Sequence, residues 1–173
     1  MKLKGDTIYL RALEPSDLDF LYELENDTKI WEISGTITPY SRITLQKYLD
    51  NAHLDIYEAK QLRLCICDYD NHVLGLIDLF NFDPKNSRVG VGLIIKGAEN
   101  RNRGVGAQVL GLVCDYAFQI LDLHQLYANI LEDNQASVRL FEKLGFQKAG
   151  LKKDWVRFGS DFKNEYLYQK IRA

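Results

Sequence analysis

Lys96-Gly97-Ala98-Glu99-Asn100-Arg101-Asn102-Arg103-Gly104-Val105-Gly106 is a polar, glycine-bearing stretch between a strand-like run and a long run with helical spacing. Such a loop, opening a helix, is an anion-binding arrangement, because unpaired N–H groups and the helix dipole both favour phosphate. Three ligands compete for it. A nucleotide triphosphate requires a Gly-Lys-Ser/Thr ending, which is absent. A dinucleotide requires glycines at 104, 106 and 109, but position 109 is Val109, and the unit follows a hairpin meander. What remains is Arg101-x-x-Gly104-x-Gly106, the R/Q-x-x-G-x-G/A pattern that cradles the pyrophosphate of coenzyme A. Alone, this short pattern also fits a tight turn capping a core helix.

A second motif follows one helix and one strand later: Asn134-Gln-Ala-Ser137-Val-Arg-Leu-Phe141-Glu-Lys-Leu144-Gly145-Phe146. With both motifs in this order and spacing, the sequence resembles the GNAT superfamily of acyl-CoA-dependent N-acyltransferases. The resemblance covers essentially the whole chain. Leu10-Arg11-Ala12-Leu13-Glu14 with Asp17-Leu18 is similar to the N-terminal signature of one branch, that of spermidine N-acetyltransferases and ribosomal-protein N-terminal acetyltransferases. Asp78 to Phe82 and Leu123-His124-Gln125-Leu126-Tyr127 fit the same branch.

The resemblance implies that acetyl-CoA, as co-substrate, lies between two splayed neighbouring strands, here Arg88–Ile95 and Gln125–Leu131. Gly90 and Gly92 give an independent reason for a distortion there, since strand glycines mark bulges or close backbone approach. Glycines kept only for packing are the competing reading. Main chain at Leu93, Ile94 and Ile95 would then pair with pantetheine amides and polarise the thioester carbonyl. Donors from Arg101 through Asn102, Arg103, Gly104, Val105 and Gly106 to Ala107 would hold the pyrophosphate. Asn134 would reach the pantetheine arm, and its compatible second role is the N-cap of the following helix.

Transfer requires a neutral amine, and a primary amine titrates near ~10, so a base must remove a proton. Asp78 is the first candidate and Glu132 the second. Glu32 and Asp83 are candidates for recruiting a cationic substrate. Where many family members carry the tyrosine that protonates the departing thiolate, this chain has Phe141, which cannot donate. Ser137, one turn earlier on the same helical face, is the nearest hydroxyl; the ribosomal-protein branch has a serine suggested for that role. A thiol titrates near ~8.5, so a weak donor suffices for such a leaving group.

No metal site is expected. Cys65 and Cys67 share one side of a strand without a partner pair, and Cys114 sits mid-helix, so all three read as core. His53, His72 and His124 lack metal-ligand spacing, and His72 falls in a hairpin turn.

The elements that must position these residues follow from periodicity. Thr7–Leu13 reads as a strand. Glu14-Pro15-Ser16-Asp17 opens a helix that ends near Asn26-Asp27, and a second helix carries Leu45, Tyr48 and Leu49. Strands follow at Gln61–Asp68, Val73–Phe80 and Arg88–Ile95. After the glycine loop comes a helix with Val109, Leu112, Val113, Tyr116, Ala117 and Ile120 in its stripe. A strand at Gln125–Leu131, a helix at Asn134–Leu144 stopped by Gly145, a strand from Phe146 and a last strand at Lys163–Ile171 complete the order. The fold class is α+β: a mixed, mostly antiparallel sheet of six to seven strands flanked by about four helices, in one domain over 1–173.

At 173 residues, 46% hydrophobic and 27% charged, the chain is long enough for a core without disulfides, and disorder is excluded. A net charge of -2 argues against direct nucleic-acid binding through bulk electrostatics. No apolar run reaches the ~18 residues of a membrane span, the start shows no signal-peptide pattern, and three cysteines favour a reducing cytoplasm. The expected activity is transfer of acetyl from acetyl-CoA to a polyamine, a protein N-terminus or another small amine, with homodimers or higher homo-oligomers compatible. The rival is a non-catalytic acyl-CoA-binding module, motivated by Phe141 and the unassigned base.

Overall fold

The computed structural model describes residues 3–101 and 103–173. Its elements are β1 (Ile8–Ala12), a 3-10 turn (Pro15–Asp17), α1 (Leu18–Glu25), α2 (Thr28–Ser34), α3 (Arg42–Asp50) and α4 (Ile56–Ala59), then β2 (Leu62–Asp68), β3 (Val73–Asp83) and β4 (Arg88–Ile95). A 3-10 turn (Ala98–Asn100), α5 (Val105–Gln119), β5 (Gln125–Leu131), α6 (Gln135–Lys143), β6 (Gln147–Phe158) and β7 (Asp161–Ile171) follow. The seven strands form one sheet in the order β1-β2-β3-β4-β5-β7-β6. Every neighbouring pair is antiparallel except β4–β5, which the intervening α5 crossover makes parallel.

Strand alternation gives each face of the sheet its own core. On one face, Ile66, Ile77, Val89, Val91, Leu126 and Ile130 pack with Val109, Leu110, Val113 and Ala117 of α5 and with Val138 and Phe141 of α6. On the other, Cys65, Cys67 and Leu76 meet Leu21 and Leu24 of α1, Ile30 of α2, and Leu45 and Leu49 of α3. Burying each Val, Leu or Ile contributes about 1.5–3 kcal/mol. The cysteines are free and buried, as read from the sequence, and burial pushes the Cys65 thiol up to about 12 and Cys114 up to about 11.

The N-terminal signature residues have a structural task. Nη1 and Nη2 of Arg11 donate to the Asp17 carboxylate at 2.8 Å, and Asp17 accepts the Glu14 N–H at 2.7 Å, tying β1 to the start of α1. Burial would raise that carboxyl, but Arg11 and the Glu14 amide outweigh it and hold it below the usual range.

Two helices beyond the expected four appear among the described residues, α2 and α4. Asn26-Asp27 ends α1 as expected, but Asp27 then caps α2 by accepting the Lys29 N–H, and Gly35 stops it in a left-handed conformation. Each is too short to show an apolar period; α2 buries only Ile30 and α4 only Ile56. β3 runs three residues further than Phe80, through an irregularity before Asp83. Ile120, counted into the α5 stripe, lies exposed just past the helix. No helix among the described residues is long and apolar enough to cross a membrane.

Candidate active site

β4 and β5 pair only at Arg88–Gln125, Val89–Leu126 and Gly90–Tyr127. Beyond that point β4 follows β3 as far as Ile95–Gly75, and β5 follows β7 as far as Leu131–Glu165. The sheet therefore forks, and the β4 edge facing β5 is left without a ladder from Val91 onward. Phe80 sits at the root of the fork. A Cβ on Gly90 would lie 2.3 Å from its ring, and one on Gly92 3.7 Å away. Its other side meets the Tyr127 ring edge-on at 5.9 Å. Gly90 is thus a close-approach glycine.

A cavity of about 700 Å³ opens at the fork, within the range of small-molecule sites. Leu93 and Ile94 line it; Ile95 pairs with Gly75 outside the lining. Their half-buried side chains pack against the two cores, Leu93 and Ile95 on the α5 face and Ile94 on the other, and the main chain between them has no ladder partner on the β5 side.

The glycine loop lies beyond Leu93 at the far edge of the cleft, outside the cavity wall. Gly104 caps α5 with φ +74°, with open space where a Cβ would stand. The first intrahelical bond runs from the Gln108 N–H to the Gly104 carbonyl, so the amides of Val105, Gly106 and Ala107 have no helical partner. Gly106 packs between Leu140 of α6 and Leu93 of β4, where a Cβ would stand 3.0 Å and 3.4 Å from their methyls. A Cβ there fits only if those methyls give by a few tenths of an ångström. Arg101 and Arg103 are exposed and form no ion pair among the described residues, and Asn102 lies outside the described residues.

Asn134 caps α6, its Oδ1 accepting the Ser137 N–H at 3.2 Å. Asn134, Ser137 and Phe141 all line the cavity. Phe141 is positioned by the helix end: the Gly145 N–H bonds Glu142 O and the Phe146 N–H bonds Phe141 O, both at 3.0 Å, with the Phe141 and Phe146 rings edge-to-face at 4.9 Å. This Schellman closure explains the Leu144-Gly145-Phe146 segment of the motif. The Ser137 hydroxyl bonds no group among the described residues.

Of the two carboxylates proposed as bases, only Asp78 is in the cavity wall. Arg63 holds both its oxygens, through Nε at 2.6 Å and Nη2 at 2.9 Å, and donates its third arm to Glu25 at 2.7 Å, with the Tyr48 ring 5.4 Å from the guanidinium. Burial would lower the Arg63 pKa, but Asp78, Tyr48 and Glu25 outweigh it and keep the group charged. Burial also raises the Tyr48 phenol above its usual value. Glu132 lies outside the wall, its carboxylate accepting from Asn164 Nδ2 at 2.8 Å and the Tyr166 hydroxyl at 3.1 Å. Glu32 is in the wall, where Lys163 Nζ stands at ion-pair distance but off the direction of a hydrogen bond, leaving Oε1 paired by charge alone. Asp83 is spent in the β3–β4 turn on Asn86 and Arg88.

The sequence reading missed Arg63, Glu25, Tyr48 and the Lys152–Glu165 pair (2.6 Å), whose lysine also donates to Asn129 at 3.0 Å. Opposite charges on neighbouring strands were the available signal. A bulge between Ile66 and Cys67 shifts the β2–β3 register by one, so counting back from the hairpin turn puts Arg63 opposite Ile77 instead of its actual partner Asp78.

Among the described residues, Asp68, Asp70 and His72 bring three metal-capable atoms together, in the β2–β3 turn. Asp68 Oδ1 accepts the Asp70 and His72 N–H groups and Oδ2 faces His72 Nδ1 at 3.0 Å, which is turn chemistry remote from the cleft.

The acetyltransferase (GNAT) domain family matches residues 7–147. The spermidine N(1)-acetyltransferase of Vibrio cholerae serotype O1 is 29% identical over 141 residues, covering 82% of this chain and 79% of that protein. A crystal structure of spermidine N-acetyltransferase from Vibrio cholerae in complex with CoA and spermine superposes with a TM-score of 0.87 at 23% identity, over 96% of each chain. A dodecameric structure of that enzyme in an intermediate state superposes at 0.80 with 25% identity, over 96% of this chain and 95% of that one.

Proposed function

We propose that this chain, which belongs to the GNAT acetyltransferase family and is an N-acetyltransferase, moves an acetyl group from acetyl-CoA to a primary amine by direct attack inside the forked cleft. One observation carries the reading. The β4–β5 ladder stops at Gly90–Tyr127, and the resulting cavity has unladdered main chain at one end, with the α5 N-terminus outside its wall next to Leu93, and carboxylates at the other. The first end suits an amide-bearing arm that ends in a pyrophosphate. The second suits a cation, because Glu25 and Asp78 share the single charge of Arg63 and leave one net negative charge.

On this reading the thioester carbonyl is polarised by main-chain N–H along Gly92–Ile95, the α5 amides and Arg101 or Arg103 hold the pyrophosphate, and Asn134 meets the pantetheine arm. Ser137 is the proton donor to the departing thiolate, since Phe141 on the same face carries no hydroxyl. Asp78, with Arg63 on both oxygens, supplies field at the acceptor end instead of a free lone pair. No step draws on a metal. The Vibrio enzyme is a spermidine acetyltransferase seen in complex with spermine, which supports a polyamine or similarly cationic amine here. Three free, buried thiols support a reducing cytoplasm, with the chain acting as one domain apart from membrane and nucleic acid. The exposed Trp155, Phe158 and Phe162 of the β6–β7 hairpin, together with the dodecameric neighbour, support a homo-oligomer.

The experiment is thiol release from acetyl-CoA with a panel of polyamines, aminoglycosides and N-terminal peptides. Amine-dependent turnover is expected. Thermal stabilisation by coenzyme A without turnover on any amine would instead make this chain a binding module.

A further inference from the structure

Among the described residues four carboxylates line the cavity, Glu25, Glu32, Asp78 and Glu165, and they differ in the cation that faces each. Both oxygens of Asp78 accept from the Arg63 fork. Glu165 forms a one-to-one pair with Lys152, and Glu32 faces Lys163, which it shares with Asp133, so an incoming ammonium would meet a lysine at either. Glu25 faces no lysine among the described residues: its one cation is Arg63, shared with Asp78, whose Nη1 occupies only Oε1, and Oε2 has no hydrogen bond among the described residues.

Its location suits the reaction. Arg63 bridges Glu25 to Asp78, and Asp78 faces Gly92 across the β3–β4 ladder, beside the fork. The side chain is 16% exposed, reachable from the cavity yet mostly withdrawn from solvent. Glu25 is the last residue of α1, where the helix dipole disfavours a negative charge, so helix stability does not account for it. That helix end is fastened from two sides: Trp31 Nε1 donates to the Glu25 carbonyl at 2.8 Å, and Asn26 bonds the carbonyls of Tyr22 and Tyr40 at 2.9 Å and 3.0 Å. The carboxylate is therefore held by a rigid end on one side and by Arg63 on the other.

We propose that Glu25 is the catalytic base, taking a proton from the substrate ammonium on Oε2, directly or through one water, with Arg63 as its positioning residue. This rests on the acetyl-transfer reading above. The ammonium gives one proton to Glu25, and the freed lone pair forms the C–N bond while the C–S bond breaks with its pair on sulfur. The nitrogen then loses a second proton and the thiolate gains one. The products are the acetamide, the coenzyme thiol and one proton, which Glu25 passes to solvent. The titratable groups around Glu25 are Arg63 from β2, Asp78 from β3 and Tyr48 from α3, with the Cys65 thiol held neutral by burial.

The test is the pH profile of kcat/KM for the amine in wild type, Glu25→Gln and Glu25→Asp, with the KM for acetyl-CoA measured alongside. Without a base, Glu25→Gln must draw on the small fraction of neutral amine. Its kcat/KM is expected to fall about a thousandfold at pH 7, to climb about tenfold per pH unit, and to approach wild type near the amine's own pKa of ~10, with KM for acetyl-CoA unchanged. A structural role would lower the rate equally at every pH, and that parallel profile, or wild-type rates, overturns the assignment. Should Glu25→Gln not fold, Glu25→Asp decides through the split of its loss: a kcat severalfold lower with both KM values unchanged supports the base, and an unchanged kcat, or a loss carried by KM, overturns it. A wild-type protein that turns over no amine removes the acetyl-transfer reading itself, an outcome distinct from any failure at Glu25.

Discussion

The two ends of the cleft are built from different materials. Toward α5, the protein presents backbone: the unladdered edge of β4, the free amides of Val105 to Ala107, and glycines at 104 and 106. Toward α1, it presents side chains from separate elements, Glu25 from α1, Tyr48 from α3, Arg63 from β2 and Asp78 from β3, joined through one guanidinium. A backbone site keeps its chemistry whatever its side chains are, provided no Cβ blocks it. A side-chain site can be rewritten one residue at a time without moving the chain. On the proposed reading, the coenzyme would meet the backbone end and the amine the side-chain end.

The sharpest way to break this contrast is at Arg63. Arg63→Ala leaves Glu25 and Asp78 facing each other without a cation in a mostly buried cluster, and should cost about 3–5 kcal/mol. Urea unfolding measures it, and a loss below about 1 kcal/mol would mean water already screens the acceptor end. Next is the root of the fork. Gly90→Ala drives a methyl into Phe80 and should destabilise by about 1–3 kcal/mol, while Phe80→Leu in the same chain should recover a large part. Strict additivity of the two substitutions would show that Phe80 and Gly90 do not hold the fork together.

Ser137→Ala should lower kcat by roughly tenfold to a hundredfold with coenzyme A binding nearly intact, because the leaving group is already good. A wild-type kcat across the pH range, with chemistry rate-limiting, would mean that the thiolate leaves unassisted. The smallest effect is at the backbone end. Gly104→Val forces a β-branched residue to φ +74° at the α5 cap and should weaken acetyl-CoA binding at least tenfold, about 1.4 kcal/mol by calorimetry. Unchanged binding in a folded variant would remove the loop from the coenzyme site.

The same contrast explains what could be read from the residues alone. Gly104, Gly145 and Asn134 act within their own few residues, as left-handed caps and a helix start, so local pattern locates them. The strand order along the chain was legible for the same reason. Arg63 and Glu25 act across 38 positions, and their partnership with Asp78 depends on a bulge at Ile66/Cys67 that no turn residue announces. Glu132 ranked second to Asp78 from the sequence, and its hydrogen bonds from Asn164 and Tyr166 of β7 join residues distant in sequence. Short α2 and α4 escaped because one buried residue each sets no period.

The most direct measurement is a crystal structure of this protein with coenzyme A and an amine bound together. The pantetheine is predicted to run along the main chain of Gly92–Ile95, with the pyrophosphate against Arg101–Ala107 and the amine nitrogen between the fork and the Glu25–Arg63–Asp78 cluster. Coenzyme seated elsewhere, for example in the shallow depression lined by Gly145, Gln147 and Lys148, with β4 and β5 still parted and empty, would contradict it.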